Sequence, residues 1–444
     1  MRKRLLGTVL LVAACGGGDD DGGGGGAPDG GGKADNPEAS TDWTRDLLRT
    51  ELEVDLTTRT GRAVIEIADA GSTGASFEIG DLQITLVRDA DGDDLDFVVD
   101  GDRLDVGVPD TDAPVTIAVD YLFQLHDAFD GWDPAVGVTF LWPTFCGNLY
   151  PCHSDPADGQ SFAMTVTGAG GATAIFPDEI PTDAPTYMPA VAVGDYTELE
   201  LGTTTAGTAV SIWHLPGQAA DAAAGGAHLV DVMDFYEETY GAYRFGDKVG
   251  TVSVDWGPGD FGGMEHHPFW HVDDGSLDNE EVNAHEAAHG WYGNGVRIAC
   301  WEDFVLSEGT VTYMAARALG EQGVDVWDGY CAELGGYCDA GGETIALPDT
   351  CGEIDILTDP LWSGVPYMKG AFFLREVAGL IGEAEVDGVL ADFYAAHAGG
   401  AARMDELVEA LAAASPPDAD AIGDAADGWL RTLSCPASAA DACP

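Results

Sequence analysis

The chain has 444 residues, 45% of them hydrophobic, which is ample for two domains with full cores. It carries 78 acidic residues against 18 basic ones, a formal net charge of −60. Such a surface repels nucleic acid and anionic membrane, so neither is an expected partner, and the excess of acid itself reads as a solubilising surface.

Taken from the start, Arg2, Lys3 and Arg4 precede a short apolar run, Leu5 to Ala14, that ends in Leu11-Val12-Ala13-Ala14-Cys15. The run is too short for a permanent span, and small residues directly before a cysteine resemble a bacterial lipobox. Residues 1–15 are therefore expected to be a lipoprotein-type signal peptide with Cys15 as the lipidated residue, and the protein to be exported to the cell envelope of a bacterium. Residues 16–40 are dominated by Gly and Asp and read as a flexible tether. Membrane contact is then expected only through the anchor at Cys15. Eight further cysteines remain, Cys146, Cys152, Cys300, Cys331, Cys338, Cys351, Cys435 and Cys443, and an even number in an exported chain suggests up to four disulfides. The short spacings suggest Cys146–Cys152 and Cys435–Cys443 as local pairs.

Residues 41–205 read as a β-rich domain. Ala63–Ile67, Leu82–Val87 and Val115–Val119 are short, β-branched and partly alternating, with turns at Asp91-Gly92-Asp93 and Asp100-Gly101-Asp102. An antiparallel, sandwich-type arrangement is expected. The acidic tract Asp89–Asp94 lacks the spacing of a calcium loop and reads as a hairpin turn. Residues 206–444 change character. Helical periodicity predicts helices over Leu229–Tyr240, Asn279–Tyr292, Phe304–Leu319, Met368–Leu380, Val386–Ala396 and Met404–Ala414, with a strand at Thr251–Trp256. The chain is thus multidomain α+β, its second half mainly α.

The chemistry concentrates in His285-Glu286-Ala287-Ala288-His289. Positions i and i+4 of a helix share a face, so both imidazoles reach one metal. Zinc takes nitrogen and oxygen ligands and leaves a position for water, whose proton the adjacent Glu286 can accept. A third ligand is needed, and Glu308 follows after eighteen intervening residues in Leu306-Ser307-Glu308-Gly309-Thr310. His126, His153, His214, His228 and His397 are scattered and read as ordinary surface or core residues. No phosphate-binding Gly-rich loop with Lys and no GxSxG elbow is present.

His285, Glu286, His289 and Glu308 together resemble the metal-binding pattern of the aminopeptidase N family of gluzincin metallopeptidases, which includes leukotriene hydrolase. Gly262-Gly263-Met264-Glu265-His266 is similar to the family's G-x-M-E-N motif, and Val365–Ala371 to the segment that bears its catalytic tyrosine. The resemblance runs from about residue 41 to the end, more weakly in the β-rich half. It implies a saddle-like β domain followed by a thermolysin-like catalytic domain, one zinc per chain held by His285, His289 and Glu308, and Glu286 as general base. It further implies Tyr367 as oxyanion donor, Glu265 as the carboxylate that binds a peptide's free amine, and Gly262, Gly263 and Met264 as substrate-binding backbone. The expected activity is aminopeptidase cleavage of peptides by a monomer, with a zinc endopeptidase or an inactive tethered binding module as alternatives. The sequence departs from the family at His266, where Asn is usual, and at Gly290, where Gln is common. The family's amine-binding glutamine has no clear counterpart; Gln124 is a position of that type. The stretch after Glu308 is also shorter than in larger members, which suggests an open cleft.

Overall fold

The computed structural model describes residues 37–444 apart from 70, 128, 257–261, 340–343, 353 and 444. Cys15, the apolar leader and most of the tether lie outside the described residues. The described residues fold as one compact unit.

The first half is built on a six-stranded sheet. Its order runs Glu179–Ala184, Gln160–Thr167, Leu47–Asp55, Thr60–Ile67, Val115–Leu122, Gln83–Asp89. Alternation explains the faces: in Thr60–Ile67 the side chains of Ala63, Ile65 and Ile67 are buried while Arg62, Val64 and Glu66 are partly exposed. The expected strands are present, each slightly longer than the periodicity predicts. One pairing departs from the antiparallel expectation. Leu47–Asp55 runs parallel to Gln160–Thr167, because the first strand sits inside the sheet and its second neighbour comes from far along the chain.

The second half opens on a five-stranded sheet in the order Thr197–Thr203, Ala209–His214, Lys248–Val254, Phe269–Asp273, Gly263–Met264. The first two strands form a hairpin across residues 205 and 206, so the change of architecture falls before Thr197 rather than at the expected boundary. The three central strands are parallel, and Gly263–Met264 is a short antiparallel edge.

Ten helices follow or interleave among the described residues. They are α1 Ala219–Gly225, α2 Leu229–Tyr240, α3 Glu280–Ala288, α4 Phe304–Glu321, α5 Trp327–Asp339, α6 Gly364–Ile381, α7 Glu383–His397, α8 Met404–Ala414, α9 Ala419–Leu430 and α10 Ala439–Ala442. None is long and apolar enough to cross a membrane.

Three local features place the site. The Asn279 side chain caps α3 by accepting from the Glu281 amide at 3.0 Å. The helix ends at Ala288, four residues before the predicted Tyr292, because the chain then turns through Gly293 at φ +92°. α6 starts at Gly364, earlier than predicted; Ser363 caps it, and Pro366 is tolerated in the first turn, where amides lack helical partners. α4 is buried along almost its whole length, and it crosses α6 where Gly309 and Gly370 meet.

Four disulfides are present: Cys146–Cys152, Cys300–Cys351, Cys331–Cys443 and Cys338–Cys435. The expected Cys435–Cys443 pair does not form. Cys331 and Cys338 lie two turns apart on one face of α5, and each takes one cysteine of the C-terminal stretch that runs along it.

Candidate metal centre

α3 and α4 bring the three expected metal donors together. His285 Nε2 lies 3.2 Å from Glu308 Oε2, the two Nε2 atoms are 3.3 Å apart, and His289 Nε2 is 3.5 Å from Glu308 Oε2. A tetrahedral ion with bonds of about 2.0–2.1 Å has edges of about 3.3 Å, so the triangle has the size that zinc requires. The outer nitrogens fix the tautomers. His289 Nδ1 donates to the Tyr292 carbonyl at 3.1 Å. The Thr312 hydroxyl donates to the Glu308 carbonyl at 2.7 Å and so stands ready to accept from His285 Nδ1 at 3.3 Å. Both Nε2 atoms then point lone pairs into the triangle. In that neutral form the two imidazoles have no proton to share, and a positive charge between them, a metal ion or a proton on one ring, is what satisfies them and Glu308. Thr312 and the Tyr292 carbonyl went unseen in the sequence, although Thr312 stands four residues after Glu308 on one helix face.

Electrostatics agree with a cation site. All three donors are buried. Burial opposes a charge on His289, but the carboxylates of Glu308, Glu265 and Glu286 outweigh it and raise its pKa to about 10. Burial likewise works against the Glu308 carboxylate, and the adjacent histidines more than reverse this and hold it ionised.

Glu286 follows His285 on α3 and is 5% exposed. Burial drives its pKa up to about 8 against the pull of His285 and His289. Its Oε2 has no hydrogen-bond partner among the described residues. The carboxyl is held by shape: a Cβ on Gly263 would lie 2.3 Å from Glu286 Oε1. Gly263 therefore makes room for Glu286, a different reason from the peptide approach expected of it. A Cβ on Gly262 would meet Val282 at 3.4 Å and Ser276 Oγ at 3.7 Å, both ordinary contacts, so space alone does not require that glycine.

A cleft of about 850 Å³ opens over the donors. Gly262, Gly263, Met264, Glu265, Glu286 and Tyr367 all line it, as do the three donors. The Tyr367 ring stacks on His285, with centroids 5.6 Å apart and planes at 14°. Burial, followed by the charges of Glu308, Glu265 and Glu286, keeps its hydroxyl protonated and a hydrogen-bond donor. Glu265 is buried, and its ligand atoms fall within 4.8 Å of those of Glu286 and His289. Its backbone is anchored by Asn294, whose Nδ2 donates to the Glu265 carbonyl at 2.8 Å, while the Tyr187 hydroxyl donates to Asn294 Oδ1 at 2.9 Å.

The stretch after Glu265 is not extended. The His266 amide donates to the Met264 carbonyl and the His267 amide to the Glu265 carbonyl, so His266 and His267 both turn inward and are buried. His267 Nε2 donates to the Glu286 carbonyl at 2.7 Å, and Tyr243 donates to its Nδ1 at 2.8 Å. His266 packs against Phe140 and His271 and is no part of the donor cluster. Gln124 is not among the cleft's lining residues; from the first half, Phe140 and Trp142 are.

With the geometry established, the relatives of the chain can be compared. Residues 267–429 match the peptidase family M1 domain, which supports a place in family M1. Leucine aminopeptidase 2-1 of Meyerozyma guilliermondii is 26% identical over 276 residues, 56% of this chain and 43% of the relative. Endoplasmic reticulum aminopeptidase 2 of Bos taurus is 26% identical over 250 residues, 46% of this chain and 25% of the relative. The chain thus spans less than half the length of these curated relatives. Among solved structures, an M1 zinc metallopeptidase from Deinococcus radiodurans superposes with a TM-score of 0.75 at 16% identity, over 88% of this chain and 95% of that one. Native yeast LTA4 hydrolase gives 0.73 at 18% identity, over 88% of this chain and 69% of that one. These likenesses show the fold: a β-rich half followed by a mainly α half of the M1 peptidase type.

Proposed function

We propose that this chain, with its M1 peptidase domain, is a zinc-dependent metallopeptidase that removes N-terminal residues from peptides. The observation that carries the reading is the donor triangle of His285, His289 and Glu308, with edges of 3.2, 3.3 and 3.5 Å, set beside a buried carboxyl with a free oxygen. The aminopeptidases among the relatives support it. His285, His289 and Glu308 would hold one zinc ion. When bound, zinc supplies a Lewis acid that acidifies water and polarises the scissile carbonyl.

The protein's own groups do the rest. Burial alone favours the protonated Glu286, but the positive charge of a bound metal would offset it and hold the carboxylate ionised, so that Glu286 takes the water's proton at its unpartnered Oε2 and hands it to the leaving amine. Tyr367, protonated over the whole working range, donates to the carbonyl oxygen as it becomes negative. Glu265 accepts from the ammonium of the peptide's first residue, a charge-assisted bond that sets the first carbonyl over the donors. The Tyr187–Asn294 pair fixes the backbone of Glu265 and thus the reach of that anchor. The lipobox ending at Cys15 supports an exported, lipid-anchored protein. Action as a monomer is part of the same reading, and the net charge of −60 argues against nucleic acid as a partner.

The test compares a free-amine peptide with its N-acetylated twin, before and after chelation and zinc return. Zinc-restored cleavage of the free-amine peptide alone is the expected result. Equal cleavage of both would make the protein an endopeptidase, and cleavage of neither would leave a binding module.

A further inference from the structure

The cleft carries more negative charge than the proposed chemistry uses. Besides Glu265, Glu286 and Glu308, the carboxylates of Glu281 and Glu333 line it, and no lysine or arginine does among the described residues. Neither has an ion pair there. Each is met by a phenol instead: Tyr330 donates to Glu281 Oε1 at 2.7 Å, and Tyr337 to Glu333 Oε1 at 3.4 Å. A carboxylate with one such donor keeps most of its acceptor capacity. The buried, unpartnered Glu286 Oε2 in the same cavity is taken by the proposed proton transfer, so Glu281 and Glu333 are the carboxylates of the cleft left to meet a substrate's own side chains.

Position separates these two carboxylates from the amine anchor. Glu281 and His285 on α3 and His289 at its C-cap follow one another at four-residue steps, so Glu281 and His289 are about 12 Å apart along the axis. Glu265 clusters with His289 and Glu286. Glu281 stands one turn beyond His285 on the opposite side. Glu333 reaches across from α5 onto the first turn of α6; a Cβ on Gly364 would lie 2.7 Å from its Oε1. A peptide whose amine meets Glu265 and whose first carbonyl lies over the donors must direct its next residue toward Glu281 and Glu333.

We infer that Glu281 and Glu333 form a subsite that selects a cationic side chain, lysine or arginine, on the residue immediately after the cleaved bond. The inference rests on the aminopeptidase reading and adds a substrate class to it. Two partly solvated charge pairs give a preference of roughly tenfold over a neutral residue, weakened by salt.

The experiment uses the zinc-loaded protein and three dipeptide amides, Leu-Lys, Leu-Gln and Leu-Glu. The expected order of kcat/KM is Lys above Gln above Glu, about tenfold between the first two at low salt. The spread should shrink at high salt, shrink partly in Glu281→Gln and in Glu333→Gln, and collapse in the double variant. Equal rates for all three peptides, or a spread unchanged in the double variant, would overturn the subsite while leaving the aminopeptidase reading intact. Cleavage of none would overturn that reading. Calorimetric binding of the same peptides to Glu286→Gln protein then decides the subsite alone: the same ranking upholds it, and equal affinities overturn it.

Discussion

Gly370→Ala should damage both stability and catalysis, because two glycines set the distance between the helices that carry Glu308 and Tyr367. A Cβ at position 370 would lie 2.6 Å from the Cα of Gly309 and 2.7 Å from a methyl of Val305. Carbon atoms pack best at about 3.5–4.0 Å, so α4 and α6 must part by about 1 Å. Overpacking of that size costs about 1–3 kcal/mol. Glu308 adjoins Gly309, and Tyr367 lies one turn before Gly370, so the shift reaches the donor triangle and the proposed oxyanion donor together. A displacement of about 1 Å at a reacting centre can cost up to about a hundredfold in rate. The control lies in the same helix. Gly379 is exposed, and a Cβ there meets nothing within 4 Å, so Gly379→Ala should stabilise by up to about 1 kcal/mol through helix propensity. Thermal unfolding, zinc content and kcat on a free-amine peptide, measured for both variants, check the pair. A Gly370→Ala protein with wild-type melting temperature and kcat would refute the reasoning.

Three further outcomes are expected. Gly263→Ala should push the Glu286 carboxyl aside and lower kcat at least tenfold with zinc content unchanged, as metal analysis beside steady-state kinetics would show. Lys369 is fully buried, and its Nζ donates to the carbonyls of Thr432, Leu433 and Ser434; Lys369→Met should cost about 1–3 kcal/mol, read by urea unfolding, and expose the C-terminal stretch to protease. Burial works against a charge on His153, but its bond to Asp158 at 2.8 Å outweighs this and raises its pKa above the ordinary value. Its contribution is fully present below about pH 6.5 and is lost as pH rises through the raised folded value, so Asp158→Asn should cost stability at pH 5.5 and little at pH 9. A gap that widens with pH would contradict that sign.

The donor set was legible because local rules carry it: four-residue spacing fixes the two histidines on one face of α3, and Glu308 lies near the start of the next long helix. Helix bounds were legible where periodicity alone decides them, as in Leu229–Tyr240 and Met404–Ala414. They slipped where a turn intervened at Gly293 or a proline sat in a first turn at Pro366. What stayed hidden depends on contacts between distant segments. Nothing local marks Gly263 as the seat of Glu286, Gly309 as the partner of Gly370, or Tyr187 as the brace behind Glu265. Cys435 and Cys443 read as neighbours in the chain, yet both bond to α5. Glu281 and Glu333 were lost among the 78 acidic residues until the cleft singled them out.

The central claim is that His285, His289 and Glu308 hold one zinc with a position left open. X-ray absorption at the zinc edge, on protein loaded with one equivalent and then on His289→Ala, tests it most directly. The account predicts a shell of nitrogen and oxygen alone at about 2.0–2.1 Å, with no sulfur, and loss of bound zinc in the variant. Sulfur at about 2.3 Å, or full zinc retention without His289, would contradict it.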